Sequence, residues 1–319
     1  MQEVREALER HEEFLILGHE DPDGDCLGSQ LALASFLKRQ NKATRLISHG
    51  PFRRPEIVDW APLFTNKLPR PDKLDEGSTA LVLLDCSSLD RTGLDLSAYG
   101  HLPLIVIDHH ASGDGGGNYR YVKPQSPSTT LLIQDIIEAS PLEITEEEAE
   151  YIFFGFCTDT DYFRHLEHIH HDVFPKIHRL MKRGISPTDF HRRIYSGRSL
   201  TSQKHLGKVL NRTESLFDGK LLFTWELRED FAEYGDEERD SGTLYKQLQS
   251  VRGALIVIVA KESRPGELSV SFRSSCDINV GEIAGTYGGG GHPKASGCSY
   301  AGSIDDFRRE ILNKFSGII

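Results

Sequence analysis

Sulfur and indole are scarce in this chain of 319 residues, which carries two methionines, two tryptophans and five cysteines. The cysteines (Cys26, Cys86, Cys157, Cys276 and Cys298) are odd in number and contain no C-x-x-C pair. That argues against a disulfide framework and for reduced thiols in a cytoplasm. No apolar stretch approaches a membrane span, and "MQEVREALERHEE" reads as a charged amphipathic start, not a signal peptide. Positive charge is also in deficit. With 37 Lys and Arg against 48 Asp and Glu, the formal net charge is −11, so there is no basic field with which to grip long nucleic acid. If this chain handles phosphates, a metal or a few focused arginines must hold them, and the ligand is short.

The 38% hydrophobic content is enough for a proper core and for two domains. The first half alternates apolar runs with helix-period segments. "FLILGH" (14–19), "ATRLIS" (43–48), "TALVLLD" (79–85) and "LPLIVID" (102–108) read as strands, the last two continuous enough for burial on both faces of a parallel sheet. Residues 26–40, 128–140 and 145–157 read as helices, the last with Thr145 and Glu148 as a capping box. From about 165 to 215 the chain looks helical and charged, with breaks near Gly184 and Ser196. From 219 short strands take over, "GGGG" (288–291) follows, and an amphipathic helix near 303–315 closes the chain. The expected fold class is α/β: a parallel-sheet N-terminal domain over 1–187, a helical linker over 188–203, and a smaller α/β domain over 204–319.

Three of the expected strands end in metal-capable side chains. The run "FLIL" leads to "GHEDPDGDCLG", where His19, Glu20, Asp21, Asp23 and Asp25 crowd together; "ALVLL" leads to Asp85, and "LIVI" to Asp108, His109 and His110. Ligands of an open parallel sheet bind outside the carboxyl ends of its strands. Asp159, in "CTDTDYF" after an expected helix, is a fourth contributor. Taken singly, "DPDGD" is equally a solvated turn, Asp85 a helix cap and "DHH" a hydrogen-bonded turn. Together at one edge they read as a metal site. Carboxylate and imidazole without thiolate suit Mn²⁺, Fe²⁺ or Mg²⁺ better than structural Zn²⁺, and so many acids call for two ions. Gly24 and Gly28 read as allowing the tight strand-to-helix turn.

In order and spacing, "GHEDPDGDCLGS", "LLDCSSLDR", "VIDHH" and "CTDTDYF" resemble the four motifs of the DHH phosphoesterase superfamily. "VSFRSS" followed by "NVGEIAGTYGGGGHPKASG" is similar to its DHHA1 partner domain, and the layout is that of the stand-alone nanoRNase/pAp phosphatase branch. The resemblance implies that His19 and Asp23 bind one metal, Asp25, His109 and Asp159 the second, and that Asp85 bridges both. It implies Mn²⁺ as the preferred ion, with Mg²⁺ or Fe²⁺ as substitutes, and a hydroxide held between two ions attacking phosphorus. Asp85, His109 and His110 are then the catalytic group, His110 facing the phosphate or supporting the site. Asp161 has no ligand role and stands where relatives often have glycine; Cys26 stands where alanine is common. Neither departure touches a ligand.

The run "YGGGGHPKASG" reads as a flexible turn or as a nest of N–H groups for an anion. His292 and Lys294 just after it, with Arg273 before it, favour phosphate or nucleotide recognition. The resemblance implies that Arg273, Gly289, Gly290, Gly291 and His292 hold the nucleotide end of a substrate lying in a cleft between the domains. Arg91, in "SSLDRTG", reads equally as a phosphate contact or a partner of Asp90 or Asp95. Arg53, Arg54, Arg192 and Arg193 read as surface charge, and "HLEHIHH" (165–171) as exposed or packed histidines. The expected activity is hydrolysis of dinucleotides to pentanucleotides of RNA to mononucleotides, with removal of the 3′ phosphate of pAp. The alternative is a dinucleotide-specific phosphodiesterase of cyclic-dinucleotide signalling, acting on pGpG, pApA or c-di-AMP. A RecJ-like nuclease for long substrates, a pyrophosphatase and a non-catalytic binding module fit less well. Expected partners are thus short RNA or a dinucleotide, without long nucleic acid or a membrane; a homodimer is common among relatives.

Overall fold

The structure, a computed structural model, describes residues 1–111, 113, 115–236 and 239–319. Asp114, within the glycine run at 113–117, lies outside the described residues. Two compact units, Met1–Ser196 and Gly197–Ile319, divide the chain.

The first unit contains α1 (Gln2–Arg10), β1 (Glu13–Leu17), α2 (Gly24–Arg39), β2 (Ala43–Ile47), β3 (Thr79–Leu84), β4 (Leu104–Asp108) and β5 (Tyr119–Val122). The helices α3 (Thr130–Glu138), α4 (Glu146–Asp159), α5 (Val173–Met181) and α6 (Pro187–Tyr195) follow. Among the described residues, five strands pair in the order β2-β1-β3-β4-β5, all parallel. Alternation along β1 sends Phe14 and Ile16 into the core beneath α2 and α4, and Leu15 and Leu17 into a second core on the other face with Leu81, Leu83 and Tyr99. Burial on both faces explains the unbroken apolar strands. The short polar strand β5 carried no such signal and is absent from the sequence reading.

Each expected helix of this unit forms, with its ends set by caps. Thr145 accepts from Glu148 N–H at 3.1 Å while Glu148 reaches back to Thr145 N–H at 3.0 Å. Asp23 caps α2, which starts at Gly24, two residues before Cys26; its Oδ1 accepts from the N–H of Asp25 and of Cys26, both at 3.0 Å. This places Gly24 as well as Gly28 inside the helix, so both serve its packing and not a turn before it. A Cβ on Gly28 would stand 2.6 Å from Tyr151 O, and one on Gly24 2.4 Å from Thr158 Oγ1. Their lack of a side chain lets α2 lie directly against α4. Arg193 is likewise no plain surface charge: its guanidinium stands 4.5 Å over the rings of both Trp60 and Phe154.

The second unit comprises α7 (Leu200–Asn211), β6 (Glu214–Leu216), β7 (Leu221–Glu226), α8 (Arg228–Tyr234) and α9 (Ser241–Gln249). It continues with β8 (Ile256–Arg264), β9 (Glu267–Ser274), α10 (Val280–Gly285), β10 (Gly290–His292), β11 (Ala295–Ala301) and α11 (Ile304–Phe315). Six strands among the described residues form a mixed sheet, β10-β11-β9-β8-β7-β6. Phe272, Phe307 and Phe315 fill one face, and Leu244, Leu248 and Val257 the other. No helix among the described residues is long and apolar enough to cross a membrane.

Candidate metal centre

In a sheet ordered 2-1-3-4-5 the crevice opens where the winding reverses, between β1 and β3. Both strands end there in charge. His19 follows β1, Asp85 follows β3, and His19 Nε2 lies 3.4 Å from Asp85 Oδ2 and 3.9 Å from Asp23 Oδ1. His109, after β4, points Nε2 at three acids: Asp159 Oδ2 at 3.4 Å, Asp85 Oδ1 at 3.5 Å and Asp25 Oδ2 at 3.9 Å. Asp159 is the last residue of α4, not a residue beyond it. His19, Asp23, Asp25, Asp85, His109 and Asp159 are thus brought to one edge, with His110 beside them.

The ring orientations are set from behind. His19 Nδ1 donates to Glu20 O at 2.8 Å, and His109 Nδ1 donates to Ser126 O at 3.1 Å. Each ring therefore turns Nε2 toward the carboxylates. Asp108, fully buried at the end of β4, accepts from Ser87 Oγ at 2.6 Å and from both the backbone N–H and Nδ1 of His110, at 2.9 and 2.8 Å. Burial opposes ionisation of Asp108, but these donors outweigh it and hold the carboxyl below its usual range. Ser87 is accordingly engaged as a donor to Asp108.

Two residues that the sequence reading passed over join the centre. The N–H of Thr129 donates to Asp25 Oδ2 at 2.6 Å, and Thr130 gives its N–H and its hydroxyl to Asp25 Oδ1 at 2.9 and 2.8 Å. The Thr129 hydroxyl donates to Asp85 Oδ1 at 2.9 Å. The start of α3 therefore seats two acids that lie far away in sequence. The signal available in advance was only "SPSTT" ahead of an apolar run, which reads as an ordinary helix start.

Even with these donors the acids resist ionisation. Burial, then Asp25 and Asp23, push Asp159 up to about 8. Burial first, and then neighbouring acids, raise Asp85 well above the carboxylate range; burial also raises Asp25, against the pull of His109. Nε2 of His109 is buried without a hydrogen-bond partner. A cation among these groups would satisfy the orphaned nitrogen and offset the repulsion, so the donor set fits divalent metal. Among the described residues, three groups of side chains offer ligand atoms within 4.8 Å of one another: Asp25, His109 and Asp159; Asp85, His109 and His110; and His19, Cys26 and Asp85. Burial pushes the Cys26 thiol up to about 12. Asp23 keeps Oδ1 on the helix cap, with Oδ2 3.7 Å from Arg54. Arg91 lines a cavity with Asp85, Ser87, Ser88, His110 and Gly113, which sets it beside the centre.

Where α4 ends, the chain turns sharply. Tyr162 N–H donates to Cys157 O at 2.7 Å and Asp161 N–H to Thr158 O at 3.3 Å, the pattern of a Schellman cap. Asp161 takes the position at which glycine is the default, with φ 45°, and Tyr162 and Phe163 continue at 55° and 74°. Left-handed backbone costs a residue with a side chain roughly 1–2 kcal/mol. His165, His168 and His171 are exposed.

In the second unit, Arg273 on β9 pairs with Ala295 on β11, which pairs in turn with His292 on β10. Directly opposed residues share a face, so Arg273 and His292 flank a small alanine in one row. The Arg273 guanidinium lies 4.2 Å over the ring of Tyr245 on α9, a partner not foreseen in the sequence. Glycine is required beside this row: a Cβ on Gly289 would stand 2.2 Å from Gly297 O, and Gly291 has φ 141°. Gly290 faces open space and is exposed.

Fold and site together define a two-unit α/β protein whose first unit gathers acids and imidazoles at the carboxyl edge of a parallel sheet. Residues 13–156 match the DHH family, N-terminal domain, and residues 218–317 match the DHHA1 domain. The chain belongs to the DHH/DHHA1 phosphoesterase family. It is 29% identical over 312 residues to the bifunctional oligoribonuclease and PAP phosphatase NrnA of Thermus thermophilus, covering 97% of this chain and 90% of that one. It is 23% identical to the probable protein of the same description from Streptococcus mutans, over 96% of each chain. Among solved structures, an exopolyphosphatase-related protein from Bacteroides fragilis superposes with a TM-score of 0.79 at 23% identity, covering 100% of this chain and 98% of that one. That likeness shows the fold.

Proposed function

We propose that the protein is a divalent-metal-dependent phosphodiesterase that cleaves very short RNA, dinucleotides to pentanucleotides, into mononucleotides, and that it removes the 3′ phosphate of pAp. The observation that carries this is full-length likeness to oligoribonuclease and PAP phosphatase relatives together with the acid and imidazole edge. The −11 charge agrees, since a short ligand needs few phosphate contacts.

His19, Asp23, Asp25, Asp85, His109 and Asp159 would hold two ions, Mn²⁺ as the expected metal. When bound, such ions neutralise phosphoryl charge and lower the pKa of water. The chain's own residues do the rest. Thr129 and Thr130 hold Asp25 and Asp85 in register. Asp108 fixes His110 through Nδ1, which leaves Nε2 to face a phosphate or leaving-group oxygen. Arg91 would meet the phosphate beside Asp85, and Arg273, Gly289, Gly290, Gly291 and His292 would hold the nucleotide end.

The test is a cleavage panel of pGpG, pApA, pApG, longer oligoribonucleotides up to heptamers, pAp and c-di-AMP, with Mn²⁺, with Mg²⁺ and with chelator. Similar rates across dinucleotides, falling with length, support the proposal. Strong preference for one dinucleotide moves the assignment to cyclic-dinucleotide signalling. Absence of metal-dependent cleavage of every substrate overturns it.

A further inference from the structure

We propose that Asp161 and Tyr195 are positioning residues that set where the Asp159 carboxylate stands; the proposal rests on reading Asp159 as a metal ligand. A glycine at position 161 would close the Schellman cap without strain. The chain instead carries an aspartate there, and two more left-handed residues after it.

The aspartate does something that glycine could not. Its Oδ1 accepts from the Tyr195 hydroxyl at 2.6 Å, and its Oδ2 from Arg164 Nη1 at 3.2 Å. Tyr195 is the last residue of α6, and its ring packs against His191 at 4.9 Å and Tyr162 at 6.1 Å. The carboxylate therefore ties the turn after α4 to the end of α6. Within the turn, Thr160 Oγ1 donates to Phe156 O at 2.6 Å and accepts from Phe163 N–H at 3.1 Å. That cross-link makes the last turn of α4 and the left-handed segment one body. Asp159 belongs to that body and reaches His109 Nε2 at 3.4 Å. Releasing the tether frees the carboxylate without removing any ligand, as loss of an outer hydrogen-bond partner does at metal sites.

The experiment compares Tyr195→Phe, Asp161→Gly, Asp161→Asn and the Tyr195→Phe/Asp161→Gly pair by calorimetric titration of the metal-free protein with Mn²⁺ and by thermal melting without metal. Tyr195→Phe and Asp161→Gly should each weaken binding of one ion about tenfold. The pair should be no worse than either alone, because both remove the same bond. Asp161→Asn should stay within about twofold, since asparagine tolerates left-handed backbone and can accept from Tyr195. Melting of Asp161→Gly should be unchanged or raised, which separates positioning from a merely structural role. Wild-type affinity in Tyr195→Phe, or parallel losses of affinity and melting temperature in Asp161→Gly, would overturn the proposal. A wild-type protein that binds no divalent ion would overturn the metal reading of Asp159 itself, and the proposal with it.

Discussion

The Thr129 hydroxyl donates to Asp85 Oδ1 at 2.9 Å, joining the start of α3 to the acid that follows β3. Its own N–H meanwhile donates to Asp25. One residue therefore holds the spacing between two buried acids. Thr129→Val keeps the shape and the N–H and deletes only the hydroxyl. It should weaken Mn²⁺ binding and turnover about tenfold while leaving the fold intact. Titration and steady-state rates check this; a Thr129→Val protein with wild-type affinity would show that Asp85 needs no support.

Asp85 itself has φ 60°, a conformation that asparagine tolerates far better than alanine. Asp85→Asn is thus the cleaner deletion of its charge. Turnover should fall to background, whereas the metal-free protein should melt higher than wild type, since burial and neighbouring acids disfavour the Asp85 charge. Surviving Mn²⁺-dependent cleavage would remove Asp85 from the mechanism.

The same crowding fixes how stability responds to pH. Asp159 titrates near 3.8 when unfolded and is pushed up to about 8 by burial and its acidic neighbours. Asp25 and Asp85 shift in the same direction. The folded, metal-free protein then binds more protons than the unfolded chain across that window, so its stability falls as pH rises. Melting temperature without metal should drop between about pH 5 and about pH 8, and saturating Mn²⁺ should flatten the slope. A metal-free melting temperature that climbs over this range would contradict the buried-acid account.

Arg273 lies on the Tyr245 ring in the row that leads to His292. Lysine preserves the charge but neither the planar stacking nor the forked donors. Arg273→Lys should raise KM for a dinucleotide roughly tenfold with a smaller change in kcat. If kcat falls instead and KM does not move, the residue acts in the chemical step and not in holding the nucleotide.

Much of the candidate site's layout was legible in the sequence because strand-end chemistry is local. An apolar run followed by His19, Asp85 or His109 announces a strand and what hangs from it, and Thr145 with Glu148 announces a helix start. The pattern also exposed the parallel sheet, since β3 and β4 are apolar on both faces. It could not show β5, which is short and polar, or that α2 begins as early as Gly24.

By itself, then, the chain determined which side chains reach the carboxyl edge of the sheet, because backbone periodicity and capping act over a few residues. Tertiary structure alone decided what holds them. Thr129 meets Asp25 and Asp85 only because α3 packs against the strand ends. Asp161 meets Tyr195 only because α6 returns to the turn after α4. Those contacts join segments distant in sequence, and a hydrogen bond acts over about 3 Å of space whatever the separation along the chain.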